Sequence, residues 1–203
     1  MTANIFIANA TKIPTLNQAL VIGVIEKAKK LVPVGHNLPA EASKVNLAAL
    51  GAKANSEHWV KSVSSAGGTY LFIGLGESHS REELRKVSGA AMRALSEARD
   101  VFFALPTSIK DEVIAVLEGA SITNYAFTKY KAAKSTQKTS KITCLSSHRI
   151  SASDISSVRS LVDAIARTKD LVNTAPNDLY PQTMANAFVS AAKAIPGVKV
   201  TVW

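Results

Sequence analysis

Residues 167–181 read RTKDLVNTAPNDLYP and separate two helical patterns. Before this stretch, apolar residues recur every three or four positions, at Ile155, Val158, Leu161, Val162, Ile165 and Val172. This spacing predicts one long helix over 154–173. The helix must end there, because Pro176 disfavours the α conformation for Ala175, the residue before it.

After this turn the chain starts a new element. Pro181 suits the first turn of a helix, because its missing N–H and its fixed φ cost nothing there. The pattern that follows predicts a helix over 182–194 and then a strand over 198–202. We call residues 174–181 the junction, since they connect the two predicted helices.

Upstream of the long helix, strand-like and helix-like segments alternate. The predicted strands are 4–8, 19–25, 69–73, 100–105 and 141–145. The predicted helices are 39–50, 80–98 and 108–120. The last of these should direct inward Ile109, Val113, Val116, Leu117 and Ala120. Ser80 with Glu83 forms a capping box, Ser108 is a candidate helix cap, and the Pro/Gly segment 32–35 is expected to be a loop. This order predicts an α/β fold, a mostly parallel sheet with helices on both faces.

Composition bounds the class of protein. Of 203 residues, 47% are hydrophobic and 19% are charged, which is typical of a globular chain and excludes a disordered one. No apolar run is long enough to span a membrane, and the first residues lack a secretory signal, so we expect a cytoplasmic protein without a membrane partner. The single cysteine, Cys144, fits a reducing compartment and is interpreted as a small buried hydrophobe.

The net charge of +9 is unevenly placed. No acidic residue lies between Glu118 and Asp154. Lysines in this basic window are Lys129, Lys131, Lys134, Lys138 and Lys141. Such a window can bind nucleic acid through phosphate contacts. A solvated loop and strand edge, with Lys acting against edge pairing, is the simpler and the favoured interpretation.

A glycine turn follows the clearest predicted strand. Gly74 and Gly76 lie between that strand and the helix that Ser80 begins, where backbone amides can hold an anion or a nucleotide phosphate. The third glycine of the dinucleotide motif is missing, so a tight turn at a strand end is the simpler interpretation.

Neither catalytic nor metal-binding motifs occur in the chain. The four histidines are far apart, and none belongs to a zinc-binding pattern. Carboxylates are few and mostly fall in first helical turns, where capping explains them. We therefore predict that this chain supplies no catalytic residue, no cofactor-binding residue and no metal ligand.

Three segments, taken in order, resemble the leucyl aminopeptidase family. Residues 74–85 contain GLG followed by LR, and residues 118–131 match the family's EG…YxFxxYK pattern. Residues 167–181 resemble the family's ARDLVNTPPN…P segment, and this resemblance is the most specific of the three. There are two departures: Thr168-Lys169 stands for Ala-Arg, and Ala175 stands for the first proline.

This resemblance implies a domain organisation. Residues 1–150 would form a non-catalytic N-terminal domain with a macro-domain-like fold, and 151–173 a linking helix. Residues 174–203 would begin a truncated catalytic domain, so the strand at 198–202 would have no sheet to join. Residues 180–203 would then be detached, disordered or packed on a neighbouring chain.

The resemblance also implies an activity for the parent protein. The family comprises two-metal peptidases, dependent on zinc or manganese, that remove N-terminal residues, preferably leucine, from peptides as homohexamers. The present chain would be inactive alone and would serve in assembly or regulation. The alternatives are a nucleic-acid-binding module through 119–153, since some bacterial members bind DNA, and a macro-like nucleotide binder at 74–80.

Overall fold

The computed structural model describes residues 3–10, 12–77, 79–131, 139–193 and 195–202. The chain divides into two compact units. The first unit contains Met1–Ala126 and Ser135–Asp163, and the second contains Phe127–Lys134 and Ala164–Trp203.

The first unit is built on a seven-stranded sheet. Its strands are β1 (Asn4–Ala8), β2 (Gln18–Lys27), β3 (Lys30–Val34), β4 (Trp59–Val63), β5 (Thr69–Gly74), β6 (Asp100–Ala104) and β7 (Lys141–Leu145). They are ordered β1-β7-β6-β2-β5-β4, with β3 also paired to β2. Neighbours from β1 to β5 run parallel, whereas β3 and β4 pair antiparallel. The predicted mostly parallel α/β sheet is confirmed.

Five helices accompany the strands among the described residues. They are α1 (Ala40–Ser43), α2 (Arg81–Ala94), α3 (Lys110–Thr123), α4 (Ala152–Asn173) and α5 (Pro181–Lys193). The long helix before the junction and the helix after it therefore form close to where the sequence predicts them. No helix in the described ranges has both the length and the apolar character needed to cross a membrane.

Residue alternation along the strands separates two cores. On one face, residues such as Val21, Leu71 and Phe103 pack with α2, α3 and the first half of α4. On the other, residues such as Ile22 and Phe72 pack with α1 and the loop after it. The second face of the sheet is thus covered by one short helix and a loop, whereas three helices pack on the first face.

Helices α2 and α3 approach closely because glycines lie between them. A Cβ built on Gly119 would be 2.0 Å from the backbone oxygen of Arg85. A Cβ built on Gly89 would be 2.9 Å from the side-chain oxygen of Thr123. Only a residue without a side chain fits at Gly119, so this position fixes the distance between the helices.

The expected loop at 32–35 was wrong in part. Residues Lys30–Val34 form β3, which pairs antiparallel with the end of β2. Ala28 and Lys29 make the connecting turn with φ of 50° and 61°, the left-handed conformation of a two-residue hairpin turn. Neither residue is a usual turn former, so the sequence carried no hairpin signal. Strand β4, which the sequence analysis did not predict, is a short edge strand on β5.

The predicted helix over 39–50 was also wrong in extent. Only Ala40–Ser43 is helical. The Asn46 side chain accepts a hydrogen bond from the Ala49 amide at 3.1 Å, a local contact that competes with helix formation. Leu47 and Ala52 then turn into the second core.

The two predicted helix caps have different outcomes. Ser80 caps α2, its hydroxyl accepting from the Glu83 amide at 3.2 Å. Ser108 does not cap α3: the helix begins after Ile109, which has no side-chain cap, and the Ser108 amide donates to the Glu112 carboxylate. Ile109, predicted to face inward, is 54% exposed, because it precedes the helix and does not share its buried stripe.

In the second unit, no strand forms in the described residues after α5. Residues 198–202, predicted to be a strand, have no regular secondary structure. A strand needs a neighbour to satisfy its backbone groups, and the described residues of this unit include no strand that could pair with it.

Candidate functional site

The second unit contains a polar cluster at the junction, and its backbone is held locally. Helix α4 ends where the Thr174 hydroxyl donates to the Asp170 carbonyl at 2.6 Å. The Ala175 carbonyl accepts from the amides of Asp178 and Leu179, at 2.9 and 3.0 Å. The junction is thus a tight turn centred on Ala175.

A second set of contacts leads the chain into α5. The Tyr180 amide donates to the Thr183 hydroxyl at 2.9 Å, and that hydroxyl is within 3.1 Å of the Asp178 carbonyl. Thr183 therefore satisfies a backbone donor that the start of a helix leaves without an intrahelical partner.

One side chain from an earlier segment bridges this turn. The Tyr130 hydroxyl accepts from the Ala175 amide at 2.9 Å and donates to Asp178 Oδ2 at 2.8 Å. Lys129 Nζ lies 3.0 Å from the same carboxylate oxygen. The Tyr130 ring also packs edge-on against Phe127, with ring centroids 5.5 Å apart. We call Lys129, Tyr130, Ala175 and Asp178 the junction cluster.

The charges in the junction cluster support one another. Lys129, and next the Tyr130 hydroxyl, hold the pKa of the Asp178 carboxyl below its ordinary range. Asp178 in turn raises the pKa of Lys129. Both groups are therefore charged near neutral pH, and Asp178 acts only as an acceptor.

The junction cluster joins two of the three family-like segments, 118–131 and 167–181. The sequence alone does not identify Lys129 and Tyr130 as the partners of Asp178. A pattern along one chain does not show which distant side chains meet. The only available signal was that both segments resembled the same family.

The glycine turn lies at the end of β5, where its amides are engaged. The amide of Gly74 donates to His58 O, that of Leu75 to Val24 O and that of Gly76 to Ala54 O, at 2.8–3.0 Å. Gly76 has a φ of 74°, which explains its glycine. Ser80 is the α2 cap. Anion or nucleotide binding at Gly74, Gly76 and Ser80 stays a prediction.

The lysines of the basic window lie in both units and in part outside the described residues. Lys129 is paired with Asp178, and Lys131 is exposed in the second unit. Lys141, in the first unit, lies over the Phe6 ring at 4.7 Å from its centroid. Lys134 and Lys138 lie outside the described residues. Nucleic-acid binding by this window stays a prediction.

A shallow groove of about 250 Å³ lies between α2 and α3. Two arginines line it, and each already contacts an acid. Arg85 forms an ion pair with Glu118 at 2.7 Å and contacts Glu82, while Arg93 pairs with Glu57 at 3.1 Å. The charges of the groove are thus largely balanced within the protein.

The described residues contain no group of three His, Cys, Asp or Glu side chains that could hold a metal ion. They therefore do not fit the convergent carboxylates that a two-metal site requires. Burial raises the pKa of the Cys144 thiol to about 12, so its thiolate is not available as a nucleophile at neutral pH.

Comparison with known proteins gives a consistent result. The family model for the cytosol aminopeptidase family, N-terminal domain, matches residues 15–134. A probable cytosol aminopeptidase of Streptomyces griseus is 33% identical over 215 residues, covering 91% of this chain and 42% of that protein. The corresponding Micrococcus luteus protein is 33% identical over 205 residues, covering 91% and 40%. The chain thus spans about two fifths of the length of these curated relatives.

Solved structures share the fold. A mutant of tomato leucine aminopeptidase superposes with a TM-score of 0.76 at 14% identity, covering 94% of this chain and 43% of that one. The bottromycin maturation enzyme BotP in complex with Mn gives a TM-score of 0.62 at 20% identity, covering 87% and 36%.

Proposed function

Because this chain belongs to the cytosol aminopeptidase family, we propose that it is the non-catalytic N-terminal part of a metal-dependent leucyl aminopeptidase. The observation that carries this proposal is the family match over 15–134, which extends from before β2 to beyond α3. In this proposal the whole protein removes N-terminal residues from peptides. The 203-residue chain serves in its assembly or regulation.

We assign the metal and the chemistry to the part of the protein beyond this chain. The described residues offer no site for a metal. The proposed metal of the whole enzyme is zinc or manganese, and BotP, which shares the fold, was solved in complex with Mn. A metal ion would supply polarisation of the peptide carbonyl and activation of water.

Residues 174–203 are proposed to begin the catalytic domain. Their apolar side chains support this, because large ones face solvent within the second unit. Tyr180 and Phe188 are both 52% exposed, and Met184 is 40% exposed. None of the described residues of α5 is buried. The apolar side of an amphipathic helix is normally buried against other elements, and the remainder of the catalytic domain would bury the apolar side of α5.

The names of the relatives support the proposed location of the whole protein, and the family resemblance supports its proposed assembly. We propose a cytosolic protein, since the relatives are named cytosol aminopeptidases. We also propose that the whole protein is a homohexamer, as the family resemblance implies.

Hydrolysis of leucine-p-nitroanilide tests the proposal. The whole natural protein loaded with Mn²⁺ or Zn²⁺ should release p-nitroaniline, and EDTA should stop the reaction. The purified 203-residue chain with the same metals should show no release above buffer. Metal-dependent release by the short chain would refute its non-catalytic role. A metal-loaded whole protein that cleaved no N-terminal residue from any peptide would refute the aminopeptidase assignment.

A further inference from the structure

The junction cluster fixes the point where the chain leaves α4 and enters α5. We propose that Tyr130 is a positioning residue, which holds the Ala175 amide and thereby sets the conformation of the junction. This inference rests on the proposed function only in its last step, where α5 begins the catalytic domain. The contacts themselves lie within the second unit of this chain.

Ala175 is the central residue of the turn. Its carbonyl accepts two amides of the turn, and its own N–H donates to Tyr130 at 2.9 Å. The next residue, Pro176, has no N–H and restricts the backbone of Ala175. Both polar groups of Ala175 are therefore committed, and only the amide depends on a side chain from elsewhere.

Asp178 makes the Tyr130 contact directional. A hydroxyl has one proton, and Tyr130 donates it to Asp178 at 2.8 Å. The lone pairs of the hydroxyl therefore remain for the Ala175 amide. Lys129, at 3.0 Å from Asp178, keeps the carboxylate charged and adjacent to the phenol. Tyr130 thus binds the Ala175 amide, and Asp178 and Lys129 orient the Tyr130 hydroxyl.

In the whole enzyme the contact between Tyr130 and the Ala175 amide would affect catalysis indirectly. Residues that touch substrate must be held within a fraction of an ångström, and α5 would be the first helix of the domain that carries them. Tyr130 touches no reacting atom, so it would act through the direction that the junction gives to α5.

The test uses the isotope-labelled 203-residue chain and measures hydrogen exchange at the Ala175 amide by NMR. Tyr130→Phe keeps the ring and removes the acceptor. The matched control is Tyr180→Phe, which removes a phenol from the same unit whose hydroxyl has no described hydrogen-bond partner. We expect exchange at Ala175 to be roughly fivefold faster in Tyr130→Phe and unchanged in the control.

Chymotrypsin gives an independent measurement, because both variants retain the cleavage site after Leu179. The bond after position 180 precedes Pro181 and is not cut. Cleavage after Leu179 should be faster in Tyr130→Phe alone. Equal exchange at Ala175 in the two variants would overturn the inference. Failure of the whole protein to hydrolyse peptides would overturn the proposed function and leave the exchange result unaffected, so the two failures can be told apart.

Discussion

Replacing Gly119 by alanine should destabilise the protein, although alanine is the better helix former. Gly119 lies inside α3, where this substitution ordinarily stabilises a helix by about 1 kcal/mol. Here the new Cβ would lie 2.0 Å from the Arg85 backbone oxygen and 2.4 Å from the Ser88 hydroxyl oxygen. A carbon–oxygen contact needs roughly 3.3 Å, so α2 and α3 must separate by about 1.3 Å.

The separation has a cost that can be estimated. Helices α2 and α3 share a fully buried interface that includes Val87, Ala91, Val116 and Ala120. Overpacking of a dense core costs typically 1–3 kcal/mol, and a backbone obstacle places Gly119→Ala near the upper limit, about 3 kcal/mol. After subtracting about 1 kcal/mol for helix propensity, the free energy of unfolding should fall by about 2 kcal/mol. For a chain of this size, Tm should fall by roughly 4–8 °C.

Gly89→Ala in α2 is the matched control. Its Cβ would be 2.9 Å from Thr123 Oγ1, a side-chain atom that can rotate away, and 3.5 Å from the nearest backbone atom. The same gain in helix propensity, about 1 kcal/mol less the cost of moving the Thr123 side chain, should leave this variant at least as stable as the parent. Thermal and urea unfolding followed by far-UV circular dichroism measure both. The reasoning fails if Gly119→Ala is as stable as the parent, or if the two alanine variants lose the same stability.

Tyr70→Phe should lower the free energy of unfolding by about 1 kcal/mol at neutral pH, because the buried phenol donates to Glu41 at 2.5 Å. Burial and then Glu41 raise the Tyr70 pKa above its ordinary value of about 10. The stability that Tyr70 contributes is therefore complete below a pH of about 10 and is lost as the pH rises from there through the raised pKa. The free energies of unfolding of variant and parent, measured by urea titration, should converge over that range. Cys144, with no exposed surface, should resist a thiol reagent in the folded protein and react stoichiometrically in urea, and rapid labelling of the native chain would contradict this. Asp154→Asn should lower Tm at pH 7, because Ser151 and then Lys110 lower the Asp154 pKa to about 2. That contribution is present above the ordinary aspartate pKa of about 3.9 and is lost as the pH falls through about 2, so the Tm values of the two proteins should differ less as the pH approaches 2.

Prediction from sequence succeeded where the cause of a structure is local. The Ser80 cap, the apolar period of the long helix and the end of that helix before Pro176 each depend on neighbours within a few residues. It failed where pairing depends on distant residues. Strand β4 exists because it can pair with β5, and the helix predicted over 39–50 gave way to a loop that covers the second face of the sheet.

The amino-acid sequence by itself determined the α/β class, the helix–turn–helix around the junction and the family, because periodicity, proline geometry and motif residues are all properties of short stretches. Only the tertiary structure decided the strand order, the contact between α2 and α3 at Gly119, and the meeting of Tyr130 with Ala175 and Asp178. These features require residues 34–48 positions apart to come into contact, and that proximity arises from packing of the whole chain.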